Sequence, residues 1–263
     1  MEYKDIIYSV EDGLAVITLN RPKTLNAFTP DLIDEWADSI TLSQEDPKVR
    51  VVMVTGAGRG FCSGMDLKEA MGKEENKPVY QQRNWLRTWV HKVPRAIEHL
   101  DKPYIAAVNG PAAGAGMDMA SMADIRIISA NAIVGMNYIR VGLLPGDAGC
   151  YFLPRIIGIA KALDLIWTGR MINAEEALRI GWASEILPDA EFLNGAKIYC
   201  RRFMGAAVAT QYAKRLVWRG IDQFRNINLE MAEMAMIINS SSPDTKEGSQ
   251  AWIEKRKPNW RGE

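Results

Sequence analysis

Val108-Asn109-Gly110-Pro111-Ala112-Ala113-Gly114-Ala115-Gly116-Met117-Asp118 is the stretch from which the rest of the chain can be read. The apolar run Tyr104 to Val108 predicts a strand that feeds a glycine-rich bend. A helix is expected to begin near Gly114 and to end near Ala123. Backbone N–H groups in the first turn of a helix lack intrahelical acceptors and sit at the positive end of its dipole. Such a place binds an anion, or an oxygen that becomes anionic during a reaction. Asp118 follows one turn later, so a carboxylate stands beside that oxygen site. An oxyanion site next to an acid or base suits chemistry at the carbon beside a carbonyl.

Working outward, Leu14 to Asn20, Val51 to Thr55 and Asp124 to Ser129 also read as strands, with a turn at Asp12-Gly13 before the first. A helix is predicted from about Pro30, with Thr29 as its cap and Ile33, Trp36, Ala37 and Ile40 on one face. Gly56 to Gly64 is a glycine-rich loop, Asp66 to Met71 predicts a helix start, 72–80 a polar loop, and Trp85 to Leu100 has helical spacing. Helices dominate after Tyr151, apart from a short apolar run at Ser184 to Leu187. Strands alternating with helices predict an α/β fold with mostly parallel strands.

The 263 residues suit one α/β core with a helical tail. The 32 basic and 32 acidic residues balance, which removes the global argument for a nucleic-acid or membrane-surface partner. Cys62, Cys150 and Cys200 lack metal-ligand spacing and form no even disulfide set, and with two histidines no metal site is expected. No apolar stretch reaches the ~18 residues that span a membrane, and the charged start Met1-Glu2-Tyr3-Lys4-Asp5 is unlike a signal peptide. A reduced, cytoplasmic protein is expected.

The chain resembles the enoyl-CoA hydratase/isomerase (crotonase) family over nearly its whole length. The matching segments are Val16-Ile17-Thr18-Leu19-Asn20-Arg21-Pro22-Lys23 with Leu25-Asn26-Ala27, and Gly60-Phe61-Cys62-Ser63-Gly64-Met65-Asp66-Leu67. Ala106-Ala107-Val108-Asn109-Gly110 with Gly114-Ala115-Gly116, Gly142-Leu143-Leu144-Pro145-Gly146, and Glu247-Gly248 with Glu254-Lys255-Arg256-Lys257-Pro258 complete the set. Each is weak alone, but five in order are specific. The resemblance implies a spiral of β-β-α units over residues 1–195 and a helical trimerisation region over 196–263, in a homotrimer or a dimer of trimers. It implies an acyl-coenzyme A thioester as substrate, with no other cofactor. It also assigns the oxyanion hole to the backbone N–H groups of Met65 and Ala115; losing one such donor costs roughly 3–4 kcal/mol of barrier. For the coenzyme A portion it points to Lys23, Ala27, Ser63, Met65, Asp66, Leu67, Lys68, Lys255 and Lys257. Solvated surface charge is the alternative for each lysine.

The chain departs from the hydratase pattern where two glutamates would share a water. The first position holds Asp118, whose side chain is about one C–C bond (~1.5 Å) shorter. The second holds Tyr138, a phenol with an ordinary pKa of about 10, hence a donor rather than a ready base at neutral pH. By resemblance to dienoyl-CoA isomerases, Asp147 is a further candidate, and a tyrosine at the second position resembles methylmalonyl-CoA decarboxylase. Asp118 paired with Asp147 or Tyr138 can move one proton or position one water. Helix capping is the alternative for Asp147, and pocket lining for Tyr138. Hydration or dehydration of an unsaturated acyl-CoA, cyclic and dienoyl forms included, is the first expectation. Double-bond isomerisation and decarboxylation stand beside it. RNA binding by Arg83, Arg87, Lys92, Arg95 and Lys102 is a rival of another kind, weakened by Glu98 and Asp101 in the same stretch. His91 and His99 read as ordinary surface or interface residues.

Overall fold

Asp12 (φ 48°) and Gly13 (φ 82°) both take left-handed conformations and reverse the chain between β1 (Ile6–Glu11) and β2 (Leu14–Leu19). Two such residues match the twist of an antiparallel hairpin, and Ile6 pairs with Leu19 through Glu11 with Leu14. The protein is described by a computed structural model covering residues 3–66, 86–205 and 207–262. The expected helix start and loop over 67–80 therefore lie outside the described residues, as does Trp85.

After β2 come α1 (Pro30–Glu45), β3 (Val51–Gly56), α2 (Lys92–Glu98), β4 (Tyr104–Val108), β5 (Ala112–Ala113), α3 (Ala115–Ser121), β6 (Ile125–Ser129) and β7 (Ile133–Gly135). A 3-10 turn (Asn137–Val141) leads to α4 (Gly149–Ile157), α5 (Ile159–Thr168), β8 (Ile172–Asn173), α6 (Ala174–Arg179), β9 (Glu185–Leu187) and α7 (Phe192–Arg201). α8 (Ala207–Gly220), α9 (Arg225–Ser240) and α10 (Pro243–Ile253) finish the chain. The main sheet has the order β1-β2-β3-β4-β6-β9, parallel after the first hairpin. Both faces are covered, so β3 and β4 are almost wholly apolar and buried. On one face α1 places Leu32, Ile33, Trp36 and Ile40 in the core, and the Trp36 indole N–H donates to the buried Tyr104 hydroxyl at 3.1 Å. Thr29 caps α1 as expected, its hydroxyl accepting from Leu32 N–H. α7, which spans the expected boundary at residue 195, packs on the other face through Phe192, Ala196, Tyr199 and Cys200.

A second, narrower layer completes the spiral. β5, β7 and β8 form it, and isolated parallel bridges extend it from Phe28–Met65 to Cys62–Ala112. Each long strand of the main sheet is thus followed by a short second-layer segment: β3 by residues 62–65, β4 by β5, and β6 by β7. This is the β-β-α spiral of the crotonase fold. Its functional consequence is that Met65 and Ala115 arrive in neighbouring turns of one layer. The region expected to be a helix over 85–100 is divided: Leu86–Val90 forms a wide π turn and α2 begins only at Lys92.

Candidate active site

The site begins with the glycine loop after β3, which two asparagines hold in shape. Asn26, buried and itself left-handed at φ 56°, donates to the carbonyls of Ala57 (3.0 Å) and Gly60 (2.8 Å) and accepts from Arg21 N–H (2.9 Å). Asn109 accepts from Gly56 N–H at 3.0 Å and donates to Gly58 O at 3.0 Å. Beyond the loop, Phe28 donates to Gly64 O (2.9 Å) and accepts from Asp66 N–H (3.1 Å). In a parallel bridge of this kind both bonds belong to Phe28, so the N–H of Met65 itself points to the opposite side. There α3 begins, with Gly114 (φ 53°) turning the chain so that Ala115 is its first residue. An N–H in that position has no intrahelical acceptor.

The two segments are in contact. A Cβ built on Gly64, which has φ 91°, would lie 3.3 Å from Ala115 N and 2.9 Å from Ala113 O. One on Gly116 would lie 2.0 Å from Cys62 O. Glycine is needed at both places because two backbones approach with no room between them. The buried Cys62 sulfur accepts from Gly64 N–H at 3.4 Å, and burial pushes its thiol up to about 12, so it is neutral at physiological pH.

Three ionisable side chains meet beside this contact. Asp118 comes from α3, Tyr138 from the 3-10 turn, and Asp147 from the loop before α4. Tyr138 Oη lies 2.9 Å from Asp118 Oδ2 and 3.0 Å from Asp147 Oδ2. Asp118 is fully buried and Asp147 is 4% exposed. Asp147 provides no side-chain cap, since the residue capping α4 is Ala148 and it has no side-chain bond. One phenol carries one proton and can donate it to only one carboxylate. The other short contact is favourable only if that carboxyl carries a proton of its own and donates it to the phenol oxygen. The trio therefore holds one proton beyond the phenol's.

Burial, and then the Asp147 charge, raise the Asp118 pKa well above the carboxylate range, while the Tyr138 hydroxyl and the Asp147 amide oppose them. Burial also pushes Asp147 up to about 6, opposed by the same hydroxyl and by His91. Burial and the two aspartates raise the phenol, which stays protonated. The extra proton accordingly belongs to Asp118 and the charge to Asp147, with Tyr138 as the link. Asp118 Oδ1 has no hydrogen-bond partner among the described residues.

The predicted coenzyme A contacts are placed less evenly. Ala27 and Met65 lie along the same edge, and Ser63 donates to Thr24 O at 3.1 Å, beside the exposed Lys23. The Asp66 carboxylate is already engaged by Arg21 at 3.4 Å. Lys255 and Lys257 are exposed on the turn after α10, an element packed chiefly on α9. Leu67 and Lys68 lie outside the described residues. Among the described residues the basic stretch read as an RNA rival is not a stripe: Lys102 is buried and donates to Ser43 O and Asp46 O (both 2.7 Å), and Lys92 pairs with Asp34; Arg83 lies outside the described residues. A residue that the sequence reading set aside, His91, reaches this site, its Nε2 lying 2.9 Å from Gly146 O, next to Asp147.

The family model described as enoyl-CoA hydratase/isomerase matches residues 9–263. A short-chain-enoyl-CoA hydratase of Clostridium acetobutylicum is 38% identical over 259 residues, 98% of this chain and 97% of that protein. A crotonyl-CoA hydratase of Syntrophomonas wolfei is 34% identical over 99% of both chains. The crystal structure of an enoyl-CoA hydratase from Bacillus anthracis superimposes with a TM-score of 0.90 at 31% identity, covering 99% of this chain and 100% of that one. The chain belongs to the enoyl-CoA hydratase/isomerase family.

Proposed function

We propose that the protein adds water to, and removes it from, an α,β-unsaturated acyl-CoA, with Met65 and Ala115 as oxyanion donors and Asp118, Tyr138 and Asp147 as the proton machinery. The observation that carries this reading is the Tyr138 hydroxyl held between two buried carboxyls beside the two amide-bearing turns. The thioester oxygen accepts from both amides, which stabilise the charge it gains as water attacks Cβ. The Asp147 carboxylate takes the proton of the attacking water, and the protonated Asp118 delivers its own proton to Cα. The relay then resets itself: Tyr138 gives its proton to Asp118 and receives one from Asp147. Atoms and charge return to the starting state, and no cofactor is consumed; coenzyme A enters with the substrate.

Isomerisation is the second reading, favoured by one observation. The phenol oxygen links the two carboxyls directly. The same chain can move a proton from one carbon to another without adding water. Incubation with crotonyl-CoA, a dienoyl-CoA, a cyclic enoyl-CoA and methylmalonyl-CoA, followed by mass spectrometry, separates the outcomes. Gain of one water supports hydration. An unchanged mass with a moved double bond supports isomerisation, and loss of carbon dioxide supports decarboxylation. If no enoyl thioester gains water, the first reading is wrong.

The same proposal extends to the surroundings. Lys23, Ala27, Ser63 and the 65–68 segment would line the coenzyme A path, with Lys255 and Lys257 reaching phosphates across a subunit boundary. The helical tail leaves Phe224, Met234, Met236, Ile237, Trp252 and Ile253 more than half exposed, which suits assembly into a homotrimer or a dimer of trimers. Sedimentation analysis measures the state directly. Among the described residues no helix is long and apolar enough to cross a membrane, and a cytoplasmic location is part of the proposal.

A further inference from the structure

The turn that presents Asp147 is held in an unfavourable conformation from outside its own element. Ala148, directly after Asp147, has φ 85°, a left-handed geometry that costs an alanine about 1–2 kcal/mol. Such strain persists only where the surroundings over-determine it. The constraint comes from the segment that opens α2. The Leu86 methyl carbons bound the space over Gly146, 3.8 Å from where a Cβ on it would stand. The His91 ring binds the Gly146 carbonyl at 2.9 Å. A carbonyl only accepts, so the His91 Nε2 carries a hydrogen and donates it. His91 is itself fixed, because its backbone N–H donates to Leu86 O (3.0 Å) and its carbonyl accepts from Arg95 N–H (3.1 Å).

From this we infer that His91 is a positioning residue of the reaction: by donating Nε2–H to the Gly146 carbonyl it fixes the strained 146–148 turn and so aims the Asp147 carboxylate at the Tyr138 hydroxyl. The inference rests on the proton relay proposed above and adds a residue to it that does not touch the substrate. Its second effect is electrostatic. The groups facing Asp147 are Tyr138 from the 3-10 turn, Asp118 from α3, the Cys62 thiol from the glycine loop, and His91. Cys150 of α4 faces Asp118, and Lys92, next to His91, turns away to Asp34. Among these the Tyr138 hydroxyl and then His91 favour the Asp147 anion against burial. They thereby place the negative end of the relay at Asp147 and leave the proton on Asp118.

Two variants separate anchoring from the effect of the imidazole on Asp147. His91→Phe keeps a ring of similar size and removes the donor, whereas His91→Gln retains an N–H for the carbonyl without the imidazole. His91→Phe is expected to lower kcat about tenfold with KM within twofold of wild type, the size of effect that loss of one hydrogen bond gives. His91→Gln should recover most of that kcat. In both, the acidic limb of kcat/KM should move to higher pH, since Asp147 loses a neighbour that favours its anion. A ¹³C titration of the aspartate carboxyls in substrate-free wild type and His91→Gln reads the same displacement without turnover. Wild-type kcat with an unmoved limb in His91→Phe overturns the inference. So do equal losses in both variants with an unmoved carboxyl titration, the mark of a merely structural role. If the wild-type protein turns over no acyl thioester, the relay's function fails, while the carboxyl titration still decides whether His91 governs Asp147.

Discussion

Replacing Asp147 by asparagine should make the protein more stable and much less active, with both effects tied to pH. Asp147 is held at about 6 in the folded chain against 3.8 for an ordinary aspartate. The folded state therefore binds more protons than the unfolded one between those values, and this group makes stability fall as pH rises through that window. Above about pH 6 the buried anion costs the fold a little over two pKa units, about 3 kcal/mol. Asparagine has the same shape, keeps a polar contact for Tyr138 Oη and carries no charge. Asp147→Asn is therefore expected to gain up to about 3 kcal/mol at pH 7.5. The gain should shrink steadily below pH 6 and vanish near pH 4. Turnover should fall by roughly 10²–10⁴, the usual contribution of a general acid or base. Urea unfolding of wild type and variant at pH 4, 5, 6 and 7.5, at one fixed protein concentration because assembly shifts apparent stability, measures the difference. A variant less stable than wild type at pH 7.5, or one whose difference does not change with pH, would refute the account of Asp147 as a strained, buried anion.

Other substitutions test other parts of the site. Tyr138→Phe removes the hydrogen bond that lowers the Asp147 pKa, so the acidic limb of the pH–rate profile should move to higher pH while kcat falls about a hundredfold; stopped-time assays across pH 5–9 read both. Gly64→Ala forces a Cβ to within 2.9 Å of Ala113 O at φ 91° and should cost about 1–2 kcal/mol of stability and roughly 10²–10³ in kcat through the displaced Met65 amide. An active Gly64→Ala enzyme would argue against that amide as an oxyanion donor. Asn26→Ala removes three hydrogen bonds from the glycine loop and is expected to lower unfolding free energy by about 2–3 kcal/mol, measured by the urea midpoint.

What the sequence made legible was local. The strand Tyr104–Val108, the turn at Gly114 and the carboxylate one helical turn later sit within fifteen residues, and each is written in residue types that permit few conformations. β1 was missed although its signal was present, since an Asp-Gly pair ahead of a strand implies a hairpin partner on its other side. That partner is an edge strand with Ile7 and Val10 exposed, so it lacks an unbroken apolar run. β5, β7 and β8 have two or three residues and no period to detect. Asp147 and Tyr138 were recognisable as candidates but not as partners in one chain, because their approach depends on the reversal at Gly142 (φ 70°) and the left-handed Ala148. His91 could not be assigned from pattern at all. It reaches Gly146 from a segment 55 residues earlier, and only the tertiary packing brings the two together.

The arrangement also explains how a short acid can serve where a longer one is usual. Asp118 cannot reach as far as a glutamate, and a second carboxylate placed directly against it would share its burial and repel its charge. A phenol between them resolves both difficulties. Its length carries the proton across the gap, and its hydroxyl, donating to Asp147, holds that carboxyl's pKa down. The two halves of the site are then held by different devices. The amides of residues 65 and 115 are fixed by main-chain bridges, two asparagines and glycines with no room for a side chain. Asp118 shares α3 with the Ala115 amide, whereas Tyr138 and Asp147 sit on a 3-10 turn and a strained loop, where single substitutions alter proton affinity without disturbing the amides. A thioester enolate would be stabilised in the same way whichever reaction follows. On the proposed mechanism, whether it gains water or shifts its double bond would depend on which substrate carbons lie opposite Asp118 and the Asp147 carboxylate, and hence on residues 138, 147 and 91 rather than on 65 and 115.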